Sequence, residues 1–442
     1  MAPIIPFGEI VLDGEPKLGG DDNHDGDVLF LEEGEPTSFQ EARTCDTKSK
    51  WEASMHREYQ SLMANETWKL EKAPPGQHIV DNMWVYKIKD GILEGAEKIF
   101  KSRLVAKGYT QVRGVDFNEV FSPIAKHVSI QLLCTLVVLF DLELDQMDVV
   151  IAFLYGKLEE VIYMRQPKGY VVKGLEHWMC RLLKSIYGLK QAPRQWYKRF
   201  DEFMIAQGFK RSMYDPCVYK KRVSNSVFGW IILVLYVDDM LIAARDKAEV
   251  AKLKEQLSSV FHMKDLGYAK KILGMKITRD KVAKRLWLTQ DRYAEKVFAL
   301  FNMSNCSSVS TPLAPHFKLS AAQSPITIVE KGLMAKVPYQ SAIGSLMYLM
   351  VSTRPDLAYA MSKVSRYMSN PGKEHWEAVK WMLRYLKGTQ DIGLLFDAKV
   401  EDAKILTGYV DADHAQDLDK RKSTTGFVFI VGDGCISWRS IL

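Results

Sequence analysis

Apolar positions recur along this chain with two different periods. From Thr47 onward, Trp51, Met55, Tyr59 and Met63 fall every four residues, a spacing that predicts one face of a helix. Residues 129–140 read as a buried helix, and residues 193–204 as an amphipathic one with Trp196, Phe200, Phe203 and Met204 in its stripe. Pro193 suits the first turn of that helix and Gly208 its stop. Further helices are predicted over 248–261, around Tyr293, Val297, Leu300 and Phe301, over 339–350 and over 375–386. Strand-like runs cover 83–88 and 97–106, joined by Asp90-Gly91 as a hairpin turn. Others cover 147–154, with Asp148 inside it, and 228–235 and 240–244, on either side of Tyr236-Val237-Asp238-Asp239. The last three are 392–396, 405–410 and 427–438, the final one bent at Gly432-Asp433-Gly434. Residues 304–327, rich in Ser, Thr, Pro and Ala, read as a linker.

With 442 residues, 47% of them hydrophobic and 26% charged, the chain is of ordinary globular composition and has room for about three domains. The net charge of +6 hides an asymmetry: residues 1–40 hold ten acids against Lys17 alone, so the remainder carries +15. The first 40 residues therefore read as a disordered acidic leader, and the basic body calls for a polyanionic partner. The longest apolar runs, 132–140 and 228–237, are short of the roughly 20 residues a membrane span needs. The N-terminus lacks the pattern of a secretion signal, and the six cysteines form no C-x-x-C pair, which argues against a zinc site or a disulfide framework. These features predict a soluble intracellular protein with reduced thiols.

Candidate chemistry begins with the acids. Asp238-Asp239 between two apolar strands suits a hairpin turn on local grounds alone. Asp148, a third acid inside an apolar run, changes that reading. Three carboxylates brought to one sheet repel each other and lose hydration unless cations lie between them. Hard divalent cations take such oxygen ligands, and a pair of them clamps the attacking and leaving oxygens of a phosphoryl displacement. The hairpin predicted over 83–106 and the residue after it carry Lys87, Lys89, Lys98, Lys101, Arg103 and Lys107.

Tyr-Val-Asp-Asp (236–239) resembles the metal-binding turn of reverse transcriptases. Gln-Met-Asp-Val…Ala-Phe-Leu-Tyr-Gly (146–156) and Lys-Ser-Ile-Tyr-Gly-Leu-Lys-Gln-Ala-Pro-Arg-Gln-Trp-Tyr (184–197) are similar to the polymerase of copia-type LTR retrotransposons. So are Arg-Leu-Val-Ala-Lys-Gly-Tyr (103–109), Met-Lys-Asp-Leu-Gly (263–267) and Ile-Leu-Gly-Met-Lys-Ile (272–277), all in the family's order. The resemblance implies an α+β right-hand polymerase with fingers, a ferredoxin-like antiparallel palm and a helical thumb. Its activity would be RNA-directed DNA polymerisation, using dNTPs, an RNA or DNA template–primer and two Mg²⁺ ions, with Mn²⁺ as a substitute. By position, Asp148, Asp238 and Asp239 would be the catalytic, metal-binding carboxylates, with the Val149 carbonyl as a further ligand. Arg103, Lys101, Lys107, Phe153, Tyr187 and Gln191 would bind the dNTP. Phe153 would lie under its sugar, and Gly188 would let the backbone approach the nucleotide. Leu273-Gly274 would hold the primer end, and Lys264 is a candidate proton donor to the pyrophosphate. Location would be cytoplasmic, in a virus-like particle, or nuclear.

Leu-Thr-Gly-Tyr-Val-Asp-Ala-Asp (406–413) resembles the opening of the family's ribonuclease H domain, with Asp411 as its first metal ligand. The sequence stops before the next ligand, so a truncated ribonuclease H-like α/β part without activity is expected. The implied layout is a leader (1–40), fingers and palm (41–246), the end of the palm and the thumb (247–303), a linker and helical connection (304–390), and the ribonuclease H-like remainder (391–442). Val150-Ile151 stand where the family has Lys-Thr, Gln131 where it has Arg, and His414 where it has Trp. These departures keep a second function open, a catalytically inactive nucleic-acid-binding remnant of a decayed element. A purely structural protein with turn acids is the third.

Overall fold

The computed structural model describes residues 35–89, 98–225, 228–398 and 406–442. The expected leader, up to residue 34, and the Asp90-Gly91 turn lie outside them. The described residues form two compact units: 35–121 with 153–198, and 122–152 with those from 199 onward.

In the first unit, helix Lys48–Ala64 packs on the hairpin of Asn82–Lys89 with Ile99–Ala106. Its buried face holds Trp51, Met55 and Leu62, whereas Met63 is exposed. A strict four-residue spacing advances about 40° per step on a helix of 3.6 residues per turn, so three steps carry Met63 off the face that Leu62 regains. The Trp51 ring sits edge-on to Tyr86 at 5.2 Å and to Phe100 at 4.7 Å. Ser54 Oγ donates to the Phe100 carbonyl at 2.9 Å and accepts from the Ser102 N–H at 2.8 Å. Strand alternation then turns Ser102 and Leu104 inward and places Lys101 and Arg103 together on the other face. A small sheet of Trp68–Glu71, Met179–Leu182, Tyr163–Met164 and Ile79–Val80 completes the unit.

The second unit is built on a six-stranded antiparallel sheet in the order Met263–Tyr268, Glu143–Val149, Asp239–Ala244, Trp230–Tyr236, Val218–Arg222, Lys210–Arg211. The strand expected over 147–154 is a correction: it runs Glu143–Val149, and Ala152–Tyr155 is a turn of 3-10 helix. The apolar run 149–154 drew the expectation. The alternation that makes the strand lies before it, where Leu144 is buried between partly exposed Glu143 and Asp145. Lys254 of helix Lys247–Ser258 pairs with Asp145 and, at 2.8 Å, with Asp265, tying that helix to two strands of the sheet.

A second sheet joins Lys271–Ile272, Met275–Asp280, Arg285–Thr289 and Leu394–Asp397. The last strand, grouped from sequence with those that follow it, instead pairs Leu394 with Leu288 and Phe396 with Leu286. Helices Asp291–Leu300, Tyr339–Ser352, Ala358–Val364 and Lys373–Gly388 share one apolar core. Residues 304–327 run along the last of these helices rather than through open solvent. Trp381 Nε1 donates to the Thr311 carbonyl at 2.9 Å and Arg384 Nε to that of Ser307 at 2.8 Å. The final sheet is Leu406–Ala412, Thr425–Val431 and Gly434–Ile441, so the bent run expected over 427–438 is two strands joined at Gly432, whose φ is +62°. All six cysteines are free, and burial pushes the Cys134, Cys180 and Cys217 thiols up to about 12. Among the described residues, no helix is long and apolar enough to cross a membrane.

His375 closes the helical core. Its ring stacks on Tyr367 at 3.9 Å, its Nδ1 accepts from the Gly372 N–H at 2.8 Å, and its Nε2 lies 3.1 Å from the Ser320 carbonyl. Only a neutral ring protonated on Nε2 satisfies both bonds, and burial depresses its pKa. Below about pH 6.5 the unfolded chain takes up a proton that the folded ring refuses, so this contribution is complete above that pH and is lost as pH falls. Urea unfolding should therefore show stability declining from pH 7 to pH 5, by at most about 1.4 kcal/mol per unit from this group. His375→Asn, which keeps an acceptor but cannot titrate, should flatten the decline.

Candidate functional site

Strands Trp230–Tyr236 and Asp239–Ala244 pair so that Tyr236 faces Asp239, leaving Val237 and Asp238 as a two-residue turn. Val237 has φ +55°, the left-handed region that such hairpins ask of a first turn residue and normally fill with glycine. A β-branched side chain there is strained by about 1–3 kcal/mol. On the other side, Asp239–Ala244 pairs with Glu143–Val149, with Asp239 directly opposite Asp148. The Val149 N–H donates to the Asp238 carbonyl at 3.0 Å, which fixes the turn against the end of that strand. Asp148 and the Asp238-Asp239 pair, about ninety residues apart in the chain, are thus neighbours at one end of two adjacent interior strands.

Asp238 and Asp239 are only 6% and 5% exposed, and Asp148 is half-buried. Gln146 Nε2 donates to Asp239 Oδ1 at 3.2 Å, orienting that carboxylate diagonally across the ladder. Lys264 lies opposite Asp148 on the far side of the same strand, so Lys264, Asp148 and Asp239 form one cross-strand row. Near-buried carboxylates side by side are a set of hard oxygen donors suited to Mg²⁺. Among the described residues, no group of three or more His, Cys, Asp or Glu side chains is placed to hold a metal ion.

The residues expected to bind nucleotide lie in the first unit. The Arg103 guanidinium sits 5.4 Å over the Tyr187 ring and pairs with Glu58 at 3.1 Å. Phe153 meets Tyr187 edge-on at 4.8 Å. Lys101 faces Lys87 across the hairpin. Lys107 pairs with Asp81 at 2.7 Å, a hydrogen bond that raises the lysine's pKa. Gly188 and Gln191 are both packed against protein. Gly188, at φ +86°, makes room for protein backbone: a Cβ there would lie 2.1 Å from the Ala106 carbonyl oxygen, and the Ala106 N–H donates to the Tyr187 carbonyl at 2.8 Å. Gln191 is fully buried; its Nε2 donates to the Asp116 carbonyl at 2.9 Å and its Oε1 accepts from Gln111 at 3.1 Å. It braces the loop from inside.

Leu273 and Gly274, at φ +50° and +67°, form the tight turn between Lys271–Ile272 and Met275–Asp280. Leu273 is buried, and its carbonyl accepts a hydrogen bond from the Tyr348 hydroxyl. Asp411 lies on the fully exposed strand Leu406–Ala412. Sequence reasoning missed Gln146, Glu58 and Tyr348. No local pattern marks them, because Glu58 reaches its partner across 45 residues, Tyr348 across 75 and Gln146 across 93.

Residues 65–315 match the family described as "Reverse transcriptase (RNA-dependent DNA polymerase)". The chain is 52% identical over 417 residues to the retrovirus-related Pol polyprotein from transposon TNT 1-94 of Nicotiana tabacum, covering 94% of this chain and 31% of that one. It is 37% identical over 394 residues to the corresponding polyprotein from transposon RE2 of Arabidopsis thaliana, covering 88% and 26%. Against a transposon Ty5-1 protein of Saccharomyces cerevisiae it is 32% identical over 294 residues, covering 66% and 92%. The chain thus spans under a third of the two plant polyproteins.

The strained turn gives a direct test. Val237→Gly should raise the urea midpoint, by about 1 kcal/mol of stability, because relief of left-handed strain outweighs glycine's added freedom in the unfolded chain. A fall in stability of that size would mean that Val237 packing, not backbone strain, dominates the turn.

Proposed function

We propose that this chain, which belongs to the copia-type retrotransposon reverse transcriptases, is an RNA-directed DNA polymerase that extends a primer on an RNA or DNA template. The observation that carries this reading is the register that sets Asp148 opposite Asp239 and ties Val149 to Asp238. In the reaction, the primer 3′-hydroxyl gives up its proton to water as its oxygen forms a bond to the α-phosphorus of a dNTP, the bond from that phosphorus to the bridging oxygen breaks, and pyrophosphate leaves. Asp148, Asp238, Asp239 and the Val149 carbonyl would hold two Mg²⁺ ions, which supply Lewis-acid stabilisation of the attacking and leaving oxygens when bound. Arg103, with Lys101 and Lys107, is assigned to the triphosphate, where fixed cations balance charge and the guanidinium gives directional donors. Tyr187 holds the Arg103 plane from below, at 5.4 Å, and Gln191 keeps the loop behind Tyr187 in place. Phe153 is assigned to the sugar, where an aromatic edge excludes a 2′-hydroxyl. Leu273 and Gly274 are assigned to the primer end, and Asp411 to a vestigial ribonuclease H ligand position.

A second reading, a catalytically inactive nucleic-acid-binding protein, draws on Val150-Ile151, which stand beside Asp148 where the family has Lys-Thr. One assay separates the two. With oligo-dT on poly-rA and Mg²⁺, the chain should incorporate dTTP, and Asp238→Asn should lower the rate by about 1,000-fold, the equivalent of roughly 4 kcal/mol of transition-state stabilisation. Mg²⁺ should also raise the melting temperature of the parent chain and not of Asp238→Asn. Template binding without incorporation would establish the second reading.

The sugar assignment has its own readout. Phe153→Ala should reduce discrimination against ribonucleotides by about 10- to 200-fold, the range that a single steric contact supplies. Unchanged discrimination in single-nucleotide extension would remove Phe153 from that role.

A further inference from the structure

At the far edge of the six-stranded sheet, basic residues line up on one face. Lys210 lies opposite Lys220, and Arg222 lies opposite Trp230. Because alternate residues share a face, Lys210, Lys220, Arg222 and Trp230 all point the same way, while Tyr219, Ile231 and Leu233 point into the core. Lys221, on the inward side, is engaged by the Gln207 carbonyl at 2.8 Å. The three outward cations are exposed, and two of them lean on one indole: Lys220 Nζ lies 5.8 Å and the Arg222 guanidinium 5.4 Å from the Trp230 ring centre. Among the described residues, no carboxylate pairs with Lys210, Lys220 or Arg222.

Directly opposed like charges destabilise a sheet. A half-buried tryptophan that holds two cations in place reduces the freedom they lose on meeting an anion. Cations in a row about 5–7 Å apart, set by strand spacing and two-residue rise, match a ligand whose negative charges repeat. From Trp230 to Tyr236 the strand rises about 20 Å, so the platform lies away from the carboxylate turn.

We propose that this face of Lys210–Arg211, Val218–Arg222 and the start of Trp230–Tyr236 is a separate contact for the phosphodiester backbone of nucleic acid. The proposal deepens the polymerase reading by adding a grip on the strand outside the reacting centre. Lys220 and Arg222 engage phosphate oxygens, Trp230 positions both, and Lys210 extends the row.

The test is fluorescence anisotropy of the full chain with labelled 30-nucleotide RNA and DNA, single-stranded and duplex, over a salt series. The double variant Lys220→Glu/Arg222→Glu should weaken binding at least about 10-fold and reduce the slope of log affinity against log salt by about 1.5 to 2, as loss of two phosphate contacts requires. Lys220→Gln/Arg222→Gln, a gentler change that guards against misfolding, should move both in the same direction. Lys210→Glu should raise the melting temperature, by turning a like-charge pair into an opposite one, while weakening binding. Anisotropy reads binding without primer extension, so a chain that cannot polymerise still tests the platform. Wild-type affinity and slope in both double variants would overturn the proposal. So would variants that lose binding only to phosphatidylserine vesicles, which would make this a membrane face.

Discussion

Everything at the carboxylate turn depends on the register between Glu143–Val149 and Asp239–Ala244. Strand side chains alternate faces, so a slip of one residue would send Asp148 to the opposite side of the sheet from Asp239 and turn Met147 outward. Several contacts oppose that slip. The Val149 N–H reaches the Asp238 carbonyl, Gln146 reaches Asp239, and Lys254 holds Asp145 from the other face. Met147, Leu144 and Ile242 are buried to 1% exposure or less, so a slip would also bring apolar surface into water, at about 25 cal/mol for each Å². Apolar packing thus fixes the positions of charges that repel one another.

A second constraint is backbone conformation. Val237 and Leu273 hold left-handed φ values that glycine adopts more readily, and both sit in two-residue turns of the second unit. At Gly188 and Gly108 the need is different, because two backbone segments pass so closely that any Cβ would collide: 2.1 Å from the Ala106 carbonyl oxygen in one case, 2.0 Å from that of Gly188 in the other. The interlock fixes Tyr187, and through it the Arg103 guanidinium and the Phe153 ring. The residues assigned to the nucleotide are therefore supported by a loop whose own glycines face protein.

Much of this was legible in the chain. Amphipathic stripes located the helices that became Lys48–Ala64, Ala192–Ala206, Asp291–Leu300 and Lys373–Gly388, because one-sided burial is what such a stripe encodes. The hairpin around Asp238-Asp239 was legible from two apolar runs flanking a turn pair. What failed was local inference about non-local pairing. Leu394–Asp397 shares its β-propensity with the strands after it, yet its partner is Arg285–Thr289, more than a hundred residues earlier. Gln131 illustrates the same limit. Met as a missing cation, it is a buried residue whose amide donates to the Ser352 carbonyl at 3.0 Å.

The pairing of Leu394–Asp397 changes how the end of the chain relates to its middle. Arg285 and Asp397 form an ion pair at 2.6 Å with the aspartate 8% exposed, and Phe396 is buried to 1%. Gly434, at the start of the last strand, lies so close to Phe396 that a Cβ there would be 2.3 Å from its ring. Trp438 Nε1 donates to the Met350 carbonyl at 3.0 Å, and Arg366 pairs with Asp417, which is 1% exposed. The three final strands are thus fastened to the helical core by apolar contact and by buried polar bonds that are costly to leave unmade. The sheet that carries Asp411 packs as part of the second unit, and its stability is shared with the helices that it covers.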